Sequence, residues 1–275
     1  MRSLGRLAAI GTLATLLSAC ASVSPSIPSP GTAELSQHRA ALIHQLTEKL
    51  AERDRALVSM QTDAVMEYSA PDRHPPQVRE QIVAKRPGSL RVEAFSAFNI
   101  ALIVATSGKE LAIFEPSRNR LTRAAATAHT LNQFIQIPMA PADAVAILLG
   151  IAPDSATLAA RPPDAIVTEG AMTVAVWSVE NSSRRELGFQ DDQLVLVRMR
   201  DADGTVDYEV RYGEYQDLGG LTFPYAVEAT FPKAHSRISF RYKRPIINGE
   251  VPDSLFVLSP SSGGGEQANL DNANP

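Results

Sequence analysis

Apolar residues recur at Leu35, Leu42, Ile43, Leu46, Leu50 and Leu57, steps of three, four and seven that mark one face of a helix. Glu48, Lys49, Glu52 and Arg53 fall off that stripe, and Thr32 is placed to cap its start. The stripe takes about a third of the surface, so the helix is predicted to lie on something apolar. From about Asp63 the period changes to two. Gln77–Ala84, Ser89–Phe95, Ile100–Thr106 and Glu110–Glu115 read as consecutive strands, with Arg86-Pro87-Gly88 and Ser107-Gly108-Lys109 as turns. Leu90, Val92 and Ala94 alternate with Arg91, Glu93 and Phe95, the pattern of antiparallel strands with one buried face.

The meander is then interrupted. Leu131, Phe134, Ile135, Ile137 and Met139 form a dense apolar patch, and Pro141–Leu149 reads as a short helix. Pro141 suits its first position, Asp143 its positive first turn and Gly150 its stop. A loop rich in Pro and Ala, Ala152–Asp164, leads back to strands at Ile166–Thr168, Met172–Glu180, Arg184–Gly188, Leu194–Arg200, Val206–Tyr215, Leu221–Phe231 and Arg237–Tyr242. The pattern predicts about ten or eleven strands, two or three helices and no internal repeat. The fold class is α+β, mostly antiparallel. A long curved sheet must hide one face, so the N-terminal and mid-chain helices are predicted to cover its concave side.

Both ends of the chain lack this periodicity. Ala21–Gly31 is rich in Ser and Pro and reads as a tether, while Ser259–Pro275 is rich in Ser, Gly and Asn and is predicted to be disordered. At the start, Arg2 and Arg6 precede an uncharged apolar run, Leu7–Leu17, and the small residues Ser18 and Ala19. That is the layout of an export signal, and eleven residues are too few to span a bilayer, which takes about 20. The chain's single cysteine, Cys20, follows at once. Small residues followed by Cys resemble the lipobox of bacterial lipoproteins. The resemblance implies cleavage before Cys20, a diacylglyceryl group on its thiol and an acyl group, such as palmitate, on its new amino group. The expected organisation is therefore signal 1–19, lipidated Cys20 and tether 20–33, folded domain 34–258 and tail 259–275.

With 44% hydrophobic and 20% charged residues, the domain has enough apolar material for a sizeable core. One cysteine allows no internal disulfide. Without Arg2 and Arg6 the chain carries 24 basic against 30 acidic residues, a net charge of −6. That balance argues against a nucleic-acid binder and against a polybasic grip on anionic lipid, so membrane attachment is expected to rest on acyl chains.

Five short stretches carry a second resemblance. They are Lys85-Arg86-Pro87-Gly88-Ser89-Leu90-Arg91-Val92-Glu93, Ser107-Gly108-Lys109-Glu110-Leu111, Pro138-Met139-Ala140-Pro141, Ala146-Ile147-Leu148-Leu149-Gly150 and Val251-Pro252-Asp253-Ser254-Leu255-Phe256. With the helix before the meander, they resemble the LolA/LolB-like lipoproteins over roughly residues 34 to 258. The resemblance implies a curved unclosed β-barrel plugged by helices. It also implies a hydrophobic cavity that holds lipid or the acyl chains of other lipoproteins. The resemblance does not assign the exposed, membrane-inserting leucine of the LolB receptor to any one residue here. Ala21 stands where an inner-membrane lipoprotein of enterobacterial type carries Asp, which implies an outer-membrane location facing the periplasm.

No Gly-x-Ser-x-Gly elbow, His-Glu-x-x-His, Cys-x-x-Cys, P-loop or dinucleotide fingerprint is present, so neither catalytic residues nor a metal or other cofactor are expected. His38 and His44 fall on nearly opposite helix faces and are no metal pair. Asp201-Ala202-Asp203-Gly204-Thr205-Val206-Asp207 has its glycine fourth, where a calcium loop needs it sixth, and reads as a hairpin turn. The ligand-binding candidates are Phe134, Ile137, Met139, Leu148 and Trp177, the first three in the apolar insert and Trp177 on a strand where plain core packing competes. Two functions fit. One is an outer-membrane lipoprotein that binds a hydrophobic ligand in a half-barrel cavity; the other is an adapter lipoprotein that binds a protein through its sheet or apolar insert. A ligand carrier requires a cavity beneath the helices, an adapter a filled core and an apolar surface patch.

Overall fold

The computed structural model describes residues 32–71, 77–97, 99–135, 137–259 and 267–269; Cys20, its leader and the tether lie outside them. The chain divides into two units, residues 1–38 and 39–275, and the second carries the sheet and the core. Helix α1 runs over Thr32–Ala56. Its stripe falls where the spacing puts it: Leu46, Leu50 and, just beyond, Leu57 are buried, while Leu42 and Ile43 are half-buried. The side chains of Thr32 and Leu35 lie outside the described ones.

Thirteen antiparallel strands follow: β1 (Ser59–Ser69), β2 (Val78–Lys85), β3 (Ser89–Ser96), β4 (Asn99–Thr106), β5 (Glu110–Glu115), β6 (Arg120–Ala125), β7 (Ala165–Glu169), β8 (Met172–Ser178), β9 (Arg184–Gln190), β10 (Gln193–Arg200), β11 (Val206–Leu218), β12 (Leu221–Phe231) and β13 (Ser236–Ile247). Three helices interrupt them: α2 (Ala128–Ile135), α3 (Pro141–Leu148) and α4 (Ser155–Ala159). Within the tail, Gln267–Asn269 form β14, parallel to β6, where the composition had predicted no order. One sheet results, in the order β14-β6-β5-β4-β3-β2-β1-β13-β12-β11-β10-β9-β8-β7. Two meanders join where β1 pairs with β13. Among the described residues β7 does not pair with β6 or β14, so the barrel stays unclosed.

Two strands and two helices, α2 within the apolar patch and α4, go beyond the elements that the sequence pattern located. On β1 the inward positions include Thr62 and Ala64, which blunt the alternation. On β6 Leu121 and Thr122 are both buried, so no alternation exists to read. Helix α4 has five residues, too few for a helical period, and sits in what reads as a Pro/Ala loop.

The helices lie against the inner face and are pinned there through backbone carbonyls. The Tyr242 hydroxyl donates to Leu148 O at 3.0 Å and the Tyr212 hydroxyl to Ile151 O at 3.3 Å. Arg53 of α1 donates to Gly150 O at 2.5 Å and to Thr222 O at 3.1 Å, with its guanidinium 5.8 Å from the Tyr215 ring centre. Gly150 has φ +69, and a Cβ there would meet Pro224 Cγ at 2.7 Å, so glycine is required both by conformation and by space. On the outer face the segment from Val251 to Phe256 crosses β3 and β4. Lys85 Nζ donates to Val251 O and Arg91 Nη1 to Leu255 O, both at 3.0 Å.

Candidate functional site

Residues Val78, Glu80, Ile82 and Ala84 of β2 share the inward face, since side chains alternate along a strand. Ile82 and Ala84 are buried in the core, and Glu80 is only 7% exposed. Register fixes its neighbours. Glu80 lies opposite Ala64 on β1 and Ala94 on β3; the same rung continues to Tyr242 on β13 and Leu102 on β4. The small Ala94 beside the carboxyl leaves space that a larger side chain would fill.

That space is a cavity of about 230 Å³. Met66 and Tyr68 of β1, Val78 and Glu80 of β2, Val92 and Ala94 of β3, Leu102 and Val104 of β4, and Ile238 and Phe240 of β13 form its wall. Phe134 of α2 and Ile137 just after it close it from the helix side. Three larger hollows, of about 610, 600 and 370 Å³, carry charged side chains: Lys49, Glu52, Arg53 and Asp192 in the first, Glu67, Arg211, Arg241 and Lys243 in the second, and Asp63 and Arg244 in the third. An apolar ligand there would have to desolvate those charged groups, which costs free energy.

Glu80 is the one carboxylate in the apolar wall. Burial pushes its pKa up to about 8, because the charged form loses its hydration and no opposite charge replaces it. Among the described residues no side chain hydrogen-bonds or ion-pairs with it. Tyr242, on its rung, has its own pKa raised by burial and then by the nearby Glu80, and its proton is engaged at Leu148 O. No histidine, cysteine or serine lines the cavity. Among the described residues no group of three or more His, Cys, Asp or Glu is placed to hold a metal. The arrangement can shelter hydrocarbon and offer it the neutral Glu80 carboxyl, with the Tyr68 side chain also on the wall.

A second polar site sits farther along the inner face. Arg185 of β9, 3% exposed, donates to the Tyr208 hydroxyl and reaches Asp154 Oδ2 at 3.4 Å. Asp143 of α3 has its pKa raised by burial, with Arg185 opposing that shift. This cluster ties β9 to the connection around α4.

Of the sequence candidates, the structure brings Phe134 and Ile137 together at the cavity. Met139 and Leu148, each 4% exposed, are packed in the core and do not line it. Trp177, fully buried, donates its indole N–H to Arg161 O at 3.3 Å and stands on β8, five strands away from the cavity's last wall strand, β13. Cys20 lies outside the described residues. Sequence reasoning missed Glu80, although its parity with Ile82 and Ala84 already placed it inward. The Asp201–Asp207 segment is a hairpin turn, with Asp203 accepting from Thr205 N at 2.8 Å and Lys233 paired to Asp201 and Asp207.

The unclosed antiparallel barrel with helices over its concave face is the LolA/LolB-like fold. Comparison with solved structures agrees. The chain is similar to a DUF1329 family protein from Desulfovibrio piger, with a TM-score of 0.56 and 9% identity over 78% of this chain and 97% of that one. It is similar to a LolA superfamily protein from Nitrosomonas europaea, with a TM-score of 0.54 and 16% identity over 78% and 97%. It also resembles a putative outer membrane lipoprotein-sorting protein domain from Vibrio parahaemolyticus, with a TM-score of 0.53 and 8% identity over 79% and 97%. No family model matches the sequence, and no curated protein matches it.

Proposed function

We propose that this chain is a lipoprotein anchored through Cys20 to the outer membrane, facing the periplasm, that binds one acyl chain or a similar apolar ligand without catalysis. The observation that carries the reading is the apolar cavity between β1–β4, β13 and the Phe134–Ile137 closure. Its volume lies below the roughly 300–1,000 Å³ of pockets for drug-sized ligands, which favours one chain end over a whole multi-chain lipid. A fold shared with a LolA superfamily protein and with a lipoprotein-sorting domain supports lipid or another lipoprotein as partner. The anchor rests on the unique cysteine after Ser18-Ala19; two or three acyl chains there make attachment durable, where one does not. Among the described residues no helix is long and apolar enough to cross a membrane.

Native mass spectrometry of the full chain from envelope extracts tests the binding. A co-purified lipid that leaves on activation is the expected result. Absence of any adduct, together with no uptake of a fluorescent fatty acid, overturns the reading in favour of the adapter. Labelling with a fatty acid tests the anchor: label on the parent chain and none on Cys20→Ser is expected, and label retained by the variant overturns it.

A further inference from the structure

We propose that Glu80 is a specificity-determining residue of the cavity, its carboxyl hydrogen-bonding the carbonyl at the head of a single inserted acyl chain. The inference rests on the ligand-binding reading above and adds to it which chemistry the ligand must carry. A cavity meant only for hydrocarbon has no use for a carboxyl in its wall, and an apolar residue at position 80 would continue the inward series of Val78, Ile82 and Ala84. Glu80 is 93% removed from solvent, and among the described residues no side chain bonds its carboxyl, whose oxygens are not sealed in the core but keep some exposure at the cavity wall. A carboxyl that opens on an apolar cavity must exchange water for another partner when a ligand enters, so the ligand that fits supplies one.

The surroundings direct that partner into the cavity. Ala64 and Ala94 flank Glu80 on the two adjacent strands and present nothing polar. Tyr242 spends its proton on Leu148 O. Tyr68, also on the wall, is the other titratable group lining the space; Phe134 and Ile137, from the helix side, are apolar. With its pKa raised to about 8 by burial, Glu80 holds its proton at neutral pH and so both donates and accepts. That suits the carbonyl of a fatty acid, and equally the amide of an N-acyl group. It does not suit an alkane. Once ionised, Glu80 loses its donor and repels a carboxylate head.

Displacement of anilinonaphthalene sulfonate from the full chain by decanoic acid, N-methyldecanamide and decane tests the proposal, in the parent and in the Glu80→Leu and Glu80→Gln variants. Glu80→Leu is expected to weaken the amide and the acid about tenfold, the worth of one good hydrogen bond, and to leave decane unchanged. Glu80→Gln is expected to retain amide binding and to abolish its pH dependence. In the parent, acid binding is expected to collapse between about pH 6 and pH 9.5 while amide binding declines less. Acid bound tighter than amide at about pH 6 points to a free fatty acid as the natural source, and amide bound tighter there points to an amide-linked chain. If Glu80→Leu shifts all three ligands by the same factor, Glu80 is no contact and the proposal falls while ligand binding stands. If none of the three binds the parent, the ligand-binding reading itself falls, and the proposal with it.

Discussion

Glu80 on β2 and Ala94 on β3 are direct cross-strand partners on the inner face of the sheet. The pairing sets an acid beside a methyl group inside the core, with Ala64 on its other flank. The small Ala94 leaves room for the cavity, and the acid gives its mostly apolar wall a carboxyl. Two properties therefore hang on one rung: the volume available to a ligand and the pH dependence of the fold.

The pH dependence has a definite sign. Unfolded, Glu80 titrates near its ordinary value of 4.5; folded, it titrates at about 8. Below the lower value both states hold the proton and Glu80 does not bear on stability. Between the two, the unfolded chain loses its proton and the native chain keeps it, so stability falls by up to about 1.4 kcal/mol per pH unit. Above about 8 the penalty is complete. Urea unfolding of the parent near pH 5, 7 and 9 should show this decline, and Glu80→Gln should flatten it. Parallel pH profiles for the two proteins would remove Glu80 as its cause.

Narrowing the cavity is best done at Ala94, which faces the space from β3. Ala94→Leu adds apolar volume where room exists, so it should abolish uptake of a fluorescent fatty acid with a change in stability under about 1 kcal/mol, less than the roughly 1–3 kcal/mol that overpacking costs in a filled core. Phe134→Ala opens the closure instead and should alter uptake while removing packing from a half-buried site. Equal uptake by the parent and Ala94→Leu, measured by fluorescence titration, counts against this cavity as the binding site.

The sheet was largely legible from residues, because one buried face writes a period of two into Leu90-Arg91-Val92-Glu93-Ala94. Leu221–Phe231 is a strand over the very bounds that its pattern predicts. Where the inner face is built from Thr62 and Ala64, as on β1, the same physics leaves a fainter trace. The candidate site was half legible. Phe134 and Ile137 stand out as apolar residues in an insert, but Met139, Leu148 and Trp177 share that signature while packing in solid core. Hydrophobicity identifies what is inside and does not say which interior residues border a void. Glu80 was missed for the opposite reason: a charge reads as outward until the parity of its strand is followed to Ile82 and Ala84.

Helix α1 should prove structural in its second half. Leu50 is 2% exposed and Leu46 4%, so Leu50→Ala should cost about 2–5 kcal/mol by denaturant unfolding, through lost burial and the cavity left behind. Leu42→Ala, at a half-buried position, should cost clearly less. Equal and small effects would mean that the helix contributes little to the core.

The last prediction concerns a buried ion cluster on the outer face of the sheet. Arg198 of β10 is 7% exposed and lies opposite Glu186 on β9 and Glu209 on β11. It meets Glu186 and Glu209 at 2.7 Å each and Glu169 at 3.3 Å. Burial alone would lower the pKa of Arg198, and its bonds to the three carboxylates raise it instead. Arg198→Ala leaves Glu186, itself 7% exposed, with Arg200 at 2.7 Å and Glu209 with Arg211 at 2.7 Å as counter-ions among the described residues. Removing one member of a buried ion cluster leaves the others under-compensated, so the variant should lose about 3 kcal/mol at neutral pH, the low end for a fully broken buried pair. The loss should shrink on acidification. For Glu209, burial raises the pKa but the bonds to Arg198 more than offset it, leaving the folded value below normal. The parent therefore gives up that stabilisation as pH falls through the lowered value, while protonation relieves the stranded carboxylates in the variant. Urea unfolding of both proteins at neutral and at acidic pH measures the gap. A gap that stays constant with pH would show that the loss comes from packing of the arginine stem and not from its charge.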